Sequence, residues 1–152
     1  MPQLVATLRF LWNLPNEAIG RAFGLFATGC GGASLRWEES GRIAVYEGIG
    51  GPVGRFIRAI NGGRDAAMTI GSVVLNTSRF DTAERGRWWF AHERAHVGQS
   101  QVLGPLYLPL YLLGLIPAGL WALVKHNARL VHDAHPLEVL ANRSAAKASG
   151  RC

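Results

Sequence analysis

Charge is scarce in this 152-residue chain: Asp, Glu, Lys and Arg make up 17% of it, against 49% hydrophobic residues, and mean hydropathy is +0.12. Intrinsic disorder, which requires the opposite balance, is excluded. Cysteine is scarcer still. Cys30 and Cys152 form no CxxC, no zinc ribbon and no prenylation box, so a disulfide framework is not expected and a reducing, cytoplasmic setting is the default. A secretory leader also lacks its parts, because only Arg9 precedes the apolar N-terminal centre and Asn13, Pro15, Asn16 and Glu17 interrupt it. Acidic residues number 10 against 16 basic ones, which leaves a formal charge of +6.

The length suits a single domain over 1–152, divided into apolar N-terminal helices (1–29), a small sheet (34–75) and metal-site helices (80–148). Residues 3–12 and 16–27 read as two short helices broken at Asn13-Leu14-Pro15, because proline removes a donor and disfavours helix in the preceding residue. Ser34–Glu38 and Arg42–Glu47 alternate around Glu39-Ser40-Gly41, a hairpin signal, and Ala66–Leu75 is a further β-rich run. Together they predict a small antiparallel sheet. Between them a Gly-rich turn (48–54) leads into a basic helix near Arg55–Ile60, stopped by Asn61-Gly62-Gly63. That turn is no phosphate cradle, since Val53 stands where GxGxxG needs its third glycine. Asp81 with Glu84 predicts the start of a helix of about six turns that stops at Gly104-Pro105. Pro136 opens a last helix to about Ala148. Helices, then strands, then helices indicate an α+β fold.

The long helix carries His92-Glu93-Arg94-Ala95-His96, an HExxH sequence. Residues four apart share a helical face, so both imidazoles can bind one metal ion while Glu93 projects toward a metal-bound water. A catalytic zinc wants three protein ligands and one open position. The metzincin continuation requires Gly at 99 and His at 102, where this chain has Gln99 and Val102, so that class is excluded. The remaining common solution is a carboxylate from a later helix. Glu138 is the only acidic residue after Asp133. At the third position of a Pro136-initiated helix it has an alternative role, capping the turn and favouring the dipole.

HERAHVGQSQVLGPLYLP followed by HPLEVLANRSA resembles the small bacterial zinc-metallopeptidase-like proteins of gluzincin type over roughly residues 88–142, with a weaker echo at Trp12-Asn13-Leu14-Pro15-Asn16. The resemblance implies a minimal zincin-like domain with His92, His96 and Glu138 as zinc ligands and Glu93 as general base. It also implies an edge strand above the active-site helix that holds an extended peptide or protein substrate, for which Ala66–Leu75 is the candidate. Many gluzincins place Asp four residues after the Glu ligand. Asn142 stands there in this chain and adds no negative charge.

Other polar residues carry two readings each. His126, His132 and His135 can polarise a substrate or simply sit at helix ends. Asp133 and Gln99 can orient a ligating imidazole or play local structural roles. Residues 104–124 carry no charge and are long enough to cross a bilayer, yet a single crossing would separate Glu138 from the His pair by the membrane. Pro105, Pro109 and Pro117 further argue for a bent or paired helical segment that packs on the active-site helix or dips into one leaflet. The expected function is therefore peptide-bond hydrolysis by a Glu-activated, zinc-bound water. The alternative is a non-catalytic, metal-stabilised module that binds a membrane surface or a partner. No specific nucleic-acid binding is expected, because the basic residues are scattered and no recognised module is present.

Overall fold

In the computed structural model, residues 2–39, 41–61, 63–79, 84–126 and 133–150 are described. The chain is α+β. Helix α1 (Pro2–Gly31) precedes the hairpin of β1 (Ser34–Glu38) and β2 (Ile43–Glu47), followed by α2 (Gly51–Ile60), β3 (Ala67–Ile70) and β4 (Val73–Asn76). Helix α3 (Glu84–Leu103) passes through a 3-10 turn (Gly104–Leu106) into α4 (Tyr107–Val124), and α5 (Pro136–Ala148) comes last. Asp81 lies outside the described residues, as does the side chain of Glu84.

The sheet has the order β1-β2-β4-β3 and is mixed, correcting the antiparallel expectation. β1 pairs with β2 and β3 with β4 in antiparallel fashion, but β2 and β4 run parallel, with Ala44 opposite Val73 and Tyr46 opposite Leu75. The Ala66–Leu75 run is itself a tight hairpin turning at Gly71-Ser72, and its second strand inserts beside β2. Val73–Asn76, fully buried, fits a central position, whereas Ala67–Ile70 is left as the edge. Alternation within a strand encodes which face is buried, not the direction of its neighbour, so the parallel pairing was not legible.

Each face of the sheet packs on helices. Ala44, Tyr46, Val73 and Leu75 join Ala27 of α1 and Val53 and Ile57 of α2 in one apolar layer. Ile43, Val45 and Val74 point the other way, to Val97 and Phe90 of α3. Thr69 is opposite Val74 in the β3–β4 register, so it too faces α3.

α1 is one continuous helix with Pro15 inside it, not two broken at Asn13-Leu14-Pro15. An internal proline costs about 3 kcal/mol, so something else must hold the chain helical. Here Asn13, Asn16 and Glu17 are buried and knotted to distant elements. Asn16 Nδ2 donates to the Gly104 carbonyl (2.6 Å), Ser100 Oγ to Asn13 Oδ1 (2.8 Å), and the Ser72 N–H and hydroxyl to the Glu17 carboxylate (2.7 and 2.6 Å). Gly104 has φ +55°, a left-handed conformation natural for glycine, and Trp12 lies so close that a β-carbon there would collide with its indole. The expected stop at Gly104-Pro105 is thus where α3 ends and α1 crosses it.

Candidate metal centre

Residues 92 and 96 lie one turn apart on α3, and both imidazoles are buried. Their Nε2 atoms are 3.1 Å apart. α5 packs closely along α3, and Glu138 in its first turn brings Oε2 to 3.1 Å from His92 Nε2 and 3.3 Å from His96 Nε2. Three lone-pair donors therefore converge in a buried site. Such a group is stable only around a cation, either a proton or a metal ion. Three ligands on a tetrahedral zinc with bonds of about 2.0–2.1 Å stand about 3.3 Å from one another, so both the separations and the N,N,O chemistry fit that ion.

Surrounding residues fix the donors. Gln99 Nε2 donates to the Leu137 carbonyl (2.9 Å), which turns its Oε1 toward His96 Nδ1 at 2.9 Å. His96 must then carry its proton on Nδ1, leaving the Nε2 lone pair aimed into the cluster. Of the two readings for Gln99, the orienting one is observed, and the same residue ties α3 to α5. Asn142 makes no hydrogen bond to either imidazole among the described residues. Trp88 stacks on His92 with ring centroids 5.5 Å apart, restricting that ring from the side.

Tyr111 of α4 donates to Glu138 Oε1 (2.7 Å), so one carboxylate oxygen is held while the other faces the imidazoles. Burial and the adjacent Glu138 carboxylate push the Tyr111 phenol well above its ordinary pKa, so it remains a donor. His135 is not among the converging donors. Its Nδ1 accepts the Leu137 N–H (3.2 Å) and its Nε2 lies 2.8 Å from the Tyr111 carbonyl, which requires the neutral Nε2–H tautomer. It therefore caps α5 and clamps it to α4. Gly114 permits this approach, since a β-carbon there would strike the His135 ring. Asp133 and His126 are exposed, and His132 lies outside the described residues.

Glu93 is buried beside the cluster, and its Oε2 accepts a 2.7 Å hydrogen bond from Thr69 Oγ1 on the edge strand β3. Burial pulls the His96 pKa down, but hydrogen bonding and charge from Glu138, with the Glu93 carboxylate and Gln99, outweigh it and hold the pKa above its ordinary value. Nothing in the sequence marks Thr69 or Tyr111 for these roles. Thr69 is one polar residue in a strand, and Tyr111 appears only as an aromatic i+4 from Tyr107 in an apolar run. No family model, curated protein or solved structure matches this chain.

Proposed function

We propose that this protein is a zinc-dependent metallopeptidase of gluzincin type on a minimal zincin-like fold. The observation that carries this reading is the convergence of His92 Nε2, His96 Nε2 and Glu138 Oε2 beside the buried carboxylate of Glu93. Zinc held by those three residues would supply Lewis acidity to a scissile carbonyl and lower the pKa of water. Glu93 takes the proton from the attacking water and passes it to the leaving amine. Thr69 holds one oxygen of that carboxylate, which fixes its orientation and leaves the other oxygen for proton transfer. β3 is an edge strand packed against α3, so its free backbone groups offer an extended peptide a template next to Glu93.

A second reading, a non-catalytic metal-stabilised module for a membrane surface or partner, is favoured by the largely exposed apolar helix α4. Glu93→Gln separates the two. As a peptidase, the variant keeps its zinc and loses activity on a mixed set of quenched fluorescent peptides by about 100- to 10,000-fold. Wild-type protein that is fully zinc-loaded yet cleaves none of the set favours the module instead.

A further inference from the structure

The solvent-facing half of α4 has no counterpart in the chemistry above. At 100° per residue, the inward stripe of buried Tyr107, Ala118 and Ala122 and half-buried Tyr111 and Gly114 covers one side of the helix. The opposite half of the circumference is entirely apolar, with Leu113 59%, Leu120 60% and Leu123 72% exposed. A water-facing helix is normally polar on that side. The surface continues beyond α4. Val102 and Leu106 are exposed at the α3–α4 corner, and Trp12, whose indole donates to the Val102 carbonyl (3.2 Å), brings the exposed residues Leu8 and Leu11 of α1 alongside.

The chain does not pass through a bilayer along this helix in a single crossing. Gln99 before it and Leu137 after it are hydrogen-bonded to each other, and His135 is already back beside Tyr111. The exposed charges on the elements that form this face are positive. Arg9 of α1 and Lys125 at the end of α4 are exposed, no Asp or Glu occurs between Glu93 and Asp133, and the one acidic residue of α1, Glu17, is buried in the polar knot. Lys125 sits over the Trp121 ring, 4.9 Å from its centroid, an aromatic–cation pair of the kind that marks a hydrocarbon–headgroup boundary. A second copy would bring like charges together on two chains of +6 each, whereas anionic headgroups neutralise them.

We propose that the apolar face formed by Leu8, Leu11 and Trp12 of α1, the α3–α4 corner and α4 docks this protein on an anionic lipid bilayer, embedded in one leaflet without crossing it. The metal centre then lies on the inner side of α4, reached through Tyr111, and Arg9 and Lys125 contact headgroups.

Flotation of the full-length protein with phosphatidylcholine vesicles, with and without about one-third phosphatidylglycerol, tests this. Wild type should float with the anionic vesicles and at least about tenfold less with neutral ones, with the difference shrinking at high salt. Leu113→Glu with Leu120→Glu should reduce flotation to background while zinc content and circular dichroism stay unchanged. Should that variant misfold, Arg9→Glu with Lys125→Glu, which leaves the apolar face intact, should lower binding to anionic vesicles by about tenfold or more. Wild type that stays with the soluble fraction for both vesicle types overturns the proposal. So does a lipid-free dimer that the two leucine substitutions dissociate, which would assign the face to a second copy. Reporter tags before residue 88 and after residue 142 found in opposite compartments would overturn it in favour of a crossing.

Discussion

Tyr111 donates a 2.7 Å hydrogen bond to Oε1 of Glu138, leaving Oε2 of the same carboxylate facing both imidazoles. One oxygen is thereby committed to a phenol on the apolar helix and the other to the candidate metal position. A carboxylate free to rotate would present either oxygen, so this contact sets the geometry of the third donor.

Tyr111→Phe removes that hydroxyl and little else. Loss of an outer partner of a metal ligand costs about 10- to 100-fold in affinity, so zinc should bind that much more weakly in competition with a chelating dye. The circular dichroism spectrum should not change. Wild-type affinity in the variant would show that Tyr111 does not position Glu138.

Gln99→Leu keeps the volume but removes both bonds that link His96 to the Leu137 carbonyl. The tie between α3 and α5 is lost, at a cost of about 0.5–1.5 kcal/mol in denaturant unfolding of the metal-free protein. His96 is also free to change tautomer, so zinc affinity should fall further than in a control such as Ser144→Ala, whose hydroxyl bonds only its own helix. Equal affinities in the two variants would refute the orienting role.

Acidification should act in opposite directions on the metal-free and metal-loaded protein. The raised pKa of His96 means that the folded chain binds its proton more tightly than the unfolded chain, whose value is near 6.5. That stabilisation is complete below the unfolded pKa and is lost as pH rises through the higher folded pKa. A bound metal ion competes with the same proton, so metal affinity should rise over that range. Thermal unfolding measured from mildly acid to mildly alkaline pH, with zinc and with chelator, checks the two slopes. Slopes of the same sign would place the proton outside the His92–His96–Glu138 group.

The polar knot under Pro15 should be worth more than any exposed pair. Asn16→Ala removes the partner of the Gly104 carbonyl and loosens Asn13 and Ser100, and should cost about 1–3 kcal/mol by urea unfolding. Arg58→Ala, which breaks a more exposed pair with Asp65, should cost less, about 0–1 kcal/mol. The reverse order would mean that α1 is held through Pro15 by apolar packing alone.

What was readable in advance divides along the range of the interactions. The His92–His96 pair follows from helical periodicity, a local property, and the prominence of Glu138 from the scarcity of acids after Asp133. The contacts of Thr69 with Glu93 and of Tyr111 with Glu138 span 24 and 27 residues, and neither local pattern nor composition encodes such partners. Pro15 misleads for the same reason. Its local cost was visible, but the bonds from Asn16 to Gly104 and from Ser72 to Glu17 that offset it span 88 and 55 residues. For His135 the helix-end reading holds, since the Leu137 N–H and the Tyr111 carbonyl occupy its two nitrogens.

Metal stoichiometry of the purified full-length protein tests the zinc site most directly, measured by mass spectrometry after reconstitution and removal of loosely held ions. The wild type should retain one zinc per chain, Glu93→Gln should retain it equally, and His92→Ala, His96→Ala and Glu138→Ala should each lose it. A folded wild-type chain that holds no zinc after reconstitution, or a Glu138→Ala variant that binds zinc as tightly as the wild type, would contradict the assignment.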